Sequence, residues 1–406
     1  MAVNHKRKRR RQIIYFATIA FSILYIVFGY MLATKDLKLF EAGEEGLQPR
    51  TARVMEIVDR QEYSYDLGGD DPFTGTNIYF NAKMLDGPQK GTTVMVVQNI
   101  DPFFAIQPKE VTQGKKILIL GNENADYEAE WMMIEYIRTD TLLVLGIVFC
   151  LCLFLFGRIK GVNTIVSLLF TVLSVFMVFI PAVLSGGNVY IWSAVTCIFI
   201  IIMTLLLVNG ANKKSLAAAV GCFSGVLMVG AIALFTDFFL QLTGMVDEQS
   251  VYLQMLETTN PIDLKAIIFA AIIIGAIGAI MDVAMSLSSS LHELSRKAAN
   301  VTFSNILASG ITIGRDIMGT MANTLVLAYI GSSMSLTLLL VAYNHSLIEL
   351  LNKEMIVVEI LQALTGSFGI LLTIPLTSII CATLYTKDWR ETAALLPNSK
   401  EKPPTP

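Results

Sequence analysis

The chain has 406 residues, 54% of them hydrophobic and 16% charged, with a mean hydropathy of +0.61. Soluble domains average about 25% charged residues, so this deficit by itself points to a membrane protein. The net charge of −3 is small, and the one strongly basic run, Lys6 to Arg11, precedes an apolar segment, which leaves no footprint for nucleic acid.

From the N-terminus, the basic run leads into an apolar stretch at 13–33. A secretory signal peptide would show the same charged start. This apolar run is longer than an ordinary signal core, however, and no A-x-A-like site follows it, so an uncleaved anchor is expected. Residues 34–138 differ in kind. Ala52–Val58, Asn77–Leu85, Thr92–Asn99 and Lys116–Leu120 are short, β-favouring runs. Turn signals separate them: Asp86 to Gly91 reads as a hairpin loop, and Gly68 to Pro72 as another loop. A small β-barrel or sandwich is expected, with an OB-like barrel as one form of it. Acidic residues gather at Glu41, Glu44 and Glu45 and again at Glu123, Asp126, Glu128 and Glu130. They read as a solvated surface, since no calcium-loop spacing is present to support the sharper reading of a divalent-cation site.

A hydrocarbon core about 30 Å thick takes roughly 20 residues of helix. Beyond the anchor, such stretches fall near 140–157, 162–184, 189–209, 216–240, 265–287, 317–341 and 359–386, giving about eight transmembrane helices. An amphipathic piece, Leu291–Ala308, and a long mixed helix leave the division of 288–358 open. With the N-terminus inside, Arg158, Lys160, Lys213, Lys214, Arg296, Lys297 and the C-terminal Lys387, Arg390, Lys400 and Lys402 are also inside. The opposite loops hold only Lys353, with Lys265 at a border. Both termini are then cytoplasmic, 34–138 is extracytoplasmic, 139–386 forms a seven-helix block and 387–406 a cytoplasmic tail. All five cysteines, Cys150, Cys152, Cys197, Cys222 and Cys381, fall in apolar segments and read as buried hydrophobes, with no disulfide framework and no metal site.

Two spans carry more than Leu, Ile, Val and Phe. In the sixth, Ala271, Gly275, Ala279, Asp282 and Ser286 recur at helical spacing, with Gly278 on a flank. Small residues four apart admit a neighbouring helix backbone, which is the structural reading of this stripe. Asp282 adds a carboxylate that must be paired, protonated or wet. It is either a border residue reaching the interface or a protonatable group facing the bundle interior. Ahead of and within the seventh span, Gly310, Gly314 and Gly319 punctuate a segment carrying Arg315 and Asp316. Asp316, Thr320, Asn323 and Leu327 share one helical face, and Arg315 stands about 100° away, where it can pair with Asp282. These polar faces form either an ion or proton path or a structural clamp. Asp237, at the end of the fifth span, reads as an interfacial residue.

Enzyme chemistry is not expected. His5, His292 and His345 share no motif, His292-Glu293 lacks the second histidine of a zinc-protease helix, and no phosphate-binding loop appears. No cofactor is called for.

The strings GAIGAIMDVAMSLSSSLHEL (275–294) and SGITIGRDIMGTMANTLVLAYIG (309–331) resemble the YibE/F-like membrane proteins of bacteria. The order of anchor, external domain and helical block is similar as well, over most of 1–390. The resemblance implies a multi-pass protein of the bacterial plasma membrane. By analogy alone, an aspartate-bearing helix end, an amphipathic linker and a polar start to the next helix are also similar to the final helices of SecF-type subunits of the RND superfamily. The expectation is therefore a transport- or export-type protein with a proton- or ion-responsive polar face. The alternative is a non-transporting scaffold or sensor whose β-domain binds an envelope partner. Partners are the lipid bilayer and either further copies of the chain or a cognate membrane protein.

Overall fold

Side-chain alternation with a period of two marks the strands found between Arg50 and Tyr136, and the sheet they form closes on itself. The computed structural model describes residues 2–34, 48–65, 73–104, 106–121, 129–255, 261–297, 301–343 and 346–395. It divides into two units, Phe40–Cys152 and Met1–Leu39 with Leu153–Pro406.

In the first unit, β1 (Arg50–Tyr65), β2 (Phe73–Met84), β3 (Thr93–Ile100), β4 (Lys116–Gly121) and β5 (Trp131–Tyr136) form a closed barrel in the order β1-β2-β3-β5-β4. Neighbours are antiparallel except β3 and β5, which run parallel. This is the strand order of an OB-type barrel. Two register shifts in β1, at Val54/Glu56 and Ile57/Asp59, bend this 16-residue strand so that it pairs with β2 and with β4. Ile78, Phe80, Ala82 and Met84 alternate inward on β2 and meet Ala52, Val54, Val96, Ile117 and Ile119 in a dry core. The β2–β3 connection is the expected hairpin loop, with Gly87 and Gly91 in the left-handed region and Asp86 Oδ1 accepting from Thr51 N at 2.9 Å. The fifth strand is absent from the sequence reading, because Trp131–Tyr136 lacks the β-branched run that marked the others. The loop at 68–72 and the acidic residues Glu41, Glu44, Glu45, Glu123, Asp126 and Glu128 lie outside the described residues, and Glu130 is exposed.

The second unit is helical. Among the described residues, seven helices are long and apolar enough to cross a membrane, and an eighth crossing is available if one bent pair counts as a single span. They comprise α1 (Ala2–Ala33), α2 (Thr139–Gly157), which belongs largely to the barrel unit, and α3 (Ile159–Ser174), which continues through a π-helical turn (Val175–Phe179) into α4 (Ile180–Leu184). After these come α5 (Val189–Asn209), α6 (Lys213–Leu240), a short α7 (Glu248–Met255), α8 (Leu264–Lys297) and α9 (Phe303–Ser332). Last are α10 (Met334–Tyr343), α11 (Leu347–Asn352) and α12 (Glu354–Leu395). Among the described residues, side-chain caps mark five starts: Asn188 accepts from Ile191 N, Asn212 from Ser215 N, Asp247 from Ser250 N, Asp263 from Ala266 N and Thr302 from Asn305 N.

The seventh span departs from expectation. In place of one helix over 317–341, α9 begins at Phe303 and ends at Ser332, and the chain turns by 65° into α10. The amphipathic piece 291–308 is therefore split between the end of α8 and the start of α9. The Ser333 hydroxyl donates to Tyr329 O at 2.9 Å at this bend, supplying a local alternative to the helical ladder. Gly310 to Arg315 consequently lie within a helix rather than ahead of one.

Candidate functional site

α12 is the axis of the bundle. It packs on α6 through Thr373 and Thr377, which face Gly225 and Gly221, and on α9 through Ile374 and Ser378, which face Gly314 and Gly310. Both glycine pairs are four residues apart, so each helix offers a groove into which a ridge of α12 fits. On α12 itself Gly369 lies against Val229 and Ile280, and Gly366 against Leu325. Thr373 and Ser378, both fully buried, return their hydroxyl protons to the carbonyls of Gly369 and Ile374, each at 2.7 Å, which satisfies them. Pro375 sits between these residues and removes one rung of the helical ladder. Near the Lys297 end, Ser288 donates to Lys214 O at 2.9 Å and lies 3.0 Å from the Tyr385 hydroxyl, joining α8, α6 and α12.

The same contacts set the level of each polar side chain. Gly310 meets Ser378, Gly314 meets Ile374 and Gly366 meets Leu325, so α9 runs antiparallel to α12 in a fixed register. Ile280 of α8 meets Gly369, and Ala276 meets Gly366, so α8 runs parallel to α12. Asp282, Arg315 and Asp316 therefore fall beside residues 370–376 of α12, close to the middle of its apolar stretch Glu354–Thr386.

None of the three turns inward. Asp282 is exposed, and so are Ala271, Gly275, Gly278 and Ser286, which form one outward stripe on α8, with Ala279 half-buried beside it. Gly275 is covered in one respect: the hydroxyl of Tyr329, from α9, lies 2.5 Å from where a Cβ on Gly275 would stand. On α9, Arg315, Asp316, Gly319, Thr320, Asn323 and Leu327 are exposed, while Gly310 and Gly314 on the other side are buried against α12. Gly310, Gly314 and, in part, Gly275 thus occupy packing positions. Ala271, Gly278 and Gly319 border open space. The expected pairing of Asp282 with Arg315 is not formed. Ion pairs among the described residues join Arg60 to Glu110, Lys116 to Asp140, Arg138 to Glu135 and Lys353 to Glu349, and Asp282, Arg315 and Asp316 enter none of them. The reason is geometric. α9 spends its small-residue face on α12, which directs Arg315 and Asp316 away from the bundle.

Sequence reasoning missed Gly221, Gly225, Gly366, Gly369, Thr373, Thr377 and Ser378. The signal was present as small residues four apart in the fifth and last spans. It also missed Glu354 and Glu359. Glu354 accepts three hydrogen bonds, from Thr243 N, Thr243 Oγ1 and Gly244 N, and so ties the start of α12 to the segment after α6. Glu359 is half-buried beside Tyr329 and Ser333, where α9 bends. Asp237 is half-buried and lines a small cavity with Tyr190 and Lys265. Among the described residues no cluster of three His, Cys, Asp or Glu side chains could hold a metal. All five cysteines are free thiols, Cys197, Cys222 and Cys381 buried, Cys150 half-buried and Cys152 exposed.

No curated protein and no solved structure matches the chain. A family model does match, over residues 145–387, which takes in most of α2, the helices from α3 to α11 and most of α12, with Asp282, Arg315, Asp316, Thr320 and Asn323 among them. The chain belongs to the YibE/F-like protein family.

Proposed function

We propose that this is a transport- or export-type protein of the bacterial plasma membrane, in which Asp282, Arg315, Asp316, Thr320 and Asn323 contribute to a polar path. The supporting observation is that three ionisable side chains stand exposed at one level, midway along apolar helices. An ionised side chain facing lipid at that depth costs at least about 2.5 kcal/mol, so such groups face water or protein and mark ion and substrate pathways. The helices that carry them are held against α12 at Gly366 and Gly369, and with Pro375 a turn and a half further on, glycine packing and a missing helical rung give a central span a place to flex. In this reading the basic loops and both termini are cytoplasmic and the barrel is extracytoplasmic. Purified protein in vesicles under an imposed proton gradient, followed with an internal pH dye, tests it. The wild type is expected to carry flux that Asp282→Asn abolishes, and flux unchanged by the substitution removes the residue on which the path depends.

A second reading rests on the barrel. Tyr65, Phe73, Phe103 and Phe104 are exposed together, with Tyr65 and Phe73 each about one ring width from Phe103 (centroids 5.2 and 5.4 Å). Exposed aromatic clusters of this kind mark contact sites. They support a scaffold or sensor that engages an envelope partner, and a co-purification from envelopes that persists after Phe103→Ser and Phe73→Ser would remove that support.

A further inference from the structure

We propose that the exposed face of α9 is the place where two copies of this chain meet, side by side and in the same orientation, with Arg315 of each copy paired to Asp316 of the other. The inference concerns assembly and does not rest on the transport reading.

The argument starts from what α9 uses and what it leaves. Gly310 and Gly314 commit one side of the helix to α12. The opposite side presents Thr312, Arg315, Asp316, Gly319, Thr320 and Asn323, all exposed. α9 is also the helix that qualifies as a span only together with α10, so this polar face has a visible cost in hydropathy. Lipid cannot cover it, because a lone arginine or aspartate at that depth is expensive.

Charge decides the occupant. Arg315 and Asp316 are adjacent, about 100° apart around the helix and about 1.5 Å apart along it, so they flank a common line. When two identical helices related by a two-fold axis along the membrane normal lie in contact, the left flank of one meets the right flank of the other at equal depth. Arg315 then faces the second copy's Asp316, and Asp316 faces the second copy's Arg315, which forms two ion pairs from one self-complementary patch. A partner of different sequence would need the opposite arrangement built for it, whereas a second copy already has it.

The rest of the face fits the same geometry. Thr312 and Gly319 are seven apart and so are Asp316 and Asn323, the spacing of a helix-pair seam. A Cβ placed on Gly319 meets no atom within 4 Å, so the backbone is open to close approach there. Asn323 lies near the two-fold line, where its amide can donate to and accept from its own counterpart.

Disulfide crosslinking of the full-length protein in native membranes tests this. Cys150 and Cys152 are first replaced by alanine, leaving the three buried thiols in place. Asn323→Cys is expected to give a dimer on mild oxidation. Leu234→Cys, an exposed position at a similar level on α6, is expected not to. Arg315→Asp and Asp316→Arg, each added to Asn323→Cys, are expected to lower the crosslinked fraction about ten-fold, since like charges then face one another. Differently tagged Arg315→Asp and Asp316→Arg chains made in the same cell are expected to crosslink to each other and scarcely to themselves. That selective rescue cannot come from misfolded chains. A monomeric Asn323→Cys protein, equal crosslinking at Leu234→Cys, a product of another size, or failure of the mixed pair would each overturn the proposal. A dimer in a protein that carries no flux leaves it standing and removes the transport reading instead.

Discussion

Gly225 on α6 and Thr373 on α12 meet without room for one added methyl group: a Cβ on Gly225 would fall on Thr373 Oγ1 and lie 3.0 Å from Ile280 Cγ2. The contact joins three helices, so Gly225→Ala is expected to cost about 1–3 kcal/mol through overpacking. Thr373→Ala opens the same space, and the double variant is expected to recover part of the loss. Thermal unfolding followed by size-exclusion chromatography in detergent reads both. Equal melting of Gly225→Ala and the wild type would show that the grooves are looser than described.

Glu354 is expected to hold α12 in place. Its carboxylate accepts at 2.8, 2.8 and 2.7 Å from the Thr243 amide, the Thr243 hydroxyl and the Gly244 amide. Hydrogen bonds to a charged acceptor contribute about 1.5–3 kcal/mol each when well buried and less when exposed, as here. Glu354→Ala should lower the melting temperature, Glu354→Gln should lower it less, and Glu349→Ala, one turn into α11, should leave it unchanged. A Glu354→Ala protein as stable as the wild type would assign the clamp no energetic weight.

The barrel should fold without disulfides as an isolated fragment spanning 38–136. All five cysteines lie outside this range, and its eleven-residue core is internal to it. Far-ultraviolet circular dichroism is expected to show a β-rich spectrum indifferent to reductant. Gly75→Val should lower its stability, because the end of the Tyr63 ring on the adjacent strand occupies the place of the added side chain and has to move. A helical or unfolded spectrum for the parent fragment counts against an independent domain.

Single cysteines at Asn77 and Ser399 should respond oppositely to an impermeant thiol reagent in intact cells, the first labelled and the second protected. Equal labelling at the two positions would overturn the orientation assigned from the basic loops.

Asp282→Asn and Arg315→Gln should act independently. No hydrogen bond or ion pair joins the two residues, so their effects on stability are expected to add within about 0.5 kcal/mol. Rescue of one by the other in a double-variant cycle would bring back the direct pair that the sequence invites and the structure does not form.

The legible part of this chain was whatever one-dimensional hydropathy controls. Stretches of apolar residues gave six of the spans within about five residues, since a helix in lipid satisfies its own backbone and needs no partner to be recognised, while the sixth span runs ten residues past its expected end, to Lys297. Alternation gave four strands, and Asp86 to Gly91 gave the hairpin. The bend at Ser333 was illegible because Ser333 competes for Tyr329 O in a way ordinary helical serines also do. Asp282 and Arg315 were located but not oriented. Which way Arg315 turns depends on the side α9 gives to α12, decided by Ile374 and Ser378 about sixty residues later in the chain, and Asp282 is oriented by the contacts of Ile280 and Ala276 with Gly369 and Gly366. Spacing of small residues in the fifth and last spans would have supplied this, had both partners of each groove been read together.

Only two residues separate the end of β5 at Tyr136 from the start of α2 at Thr139. Across that joint Ile137 N donates to Lys116 O at 3.1 Å, and the Lys116 ammonium holds Asp140 at 2.6 Å. Barrel and helix are thus coupled like a handle and its shaft. A load applied to the barrel therefore passes directly into the first turn of α2, through Lys116 and Asp140 as well as through the chain itself.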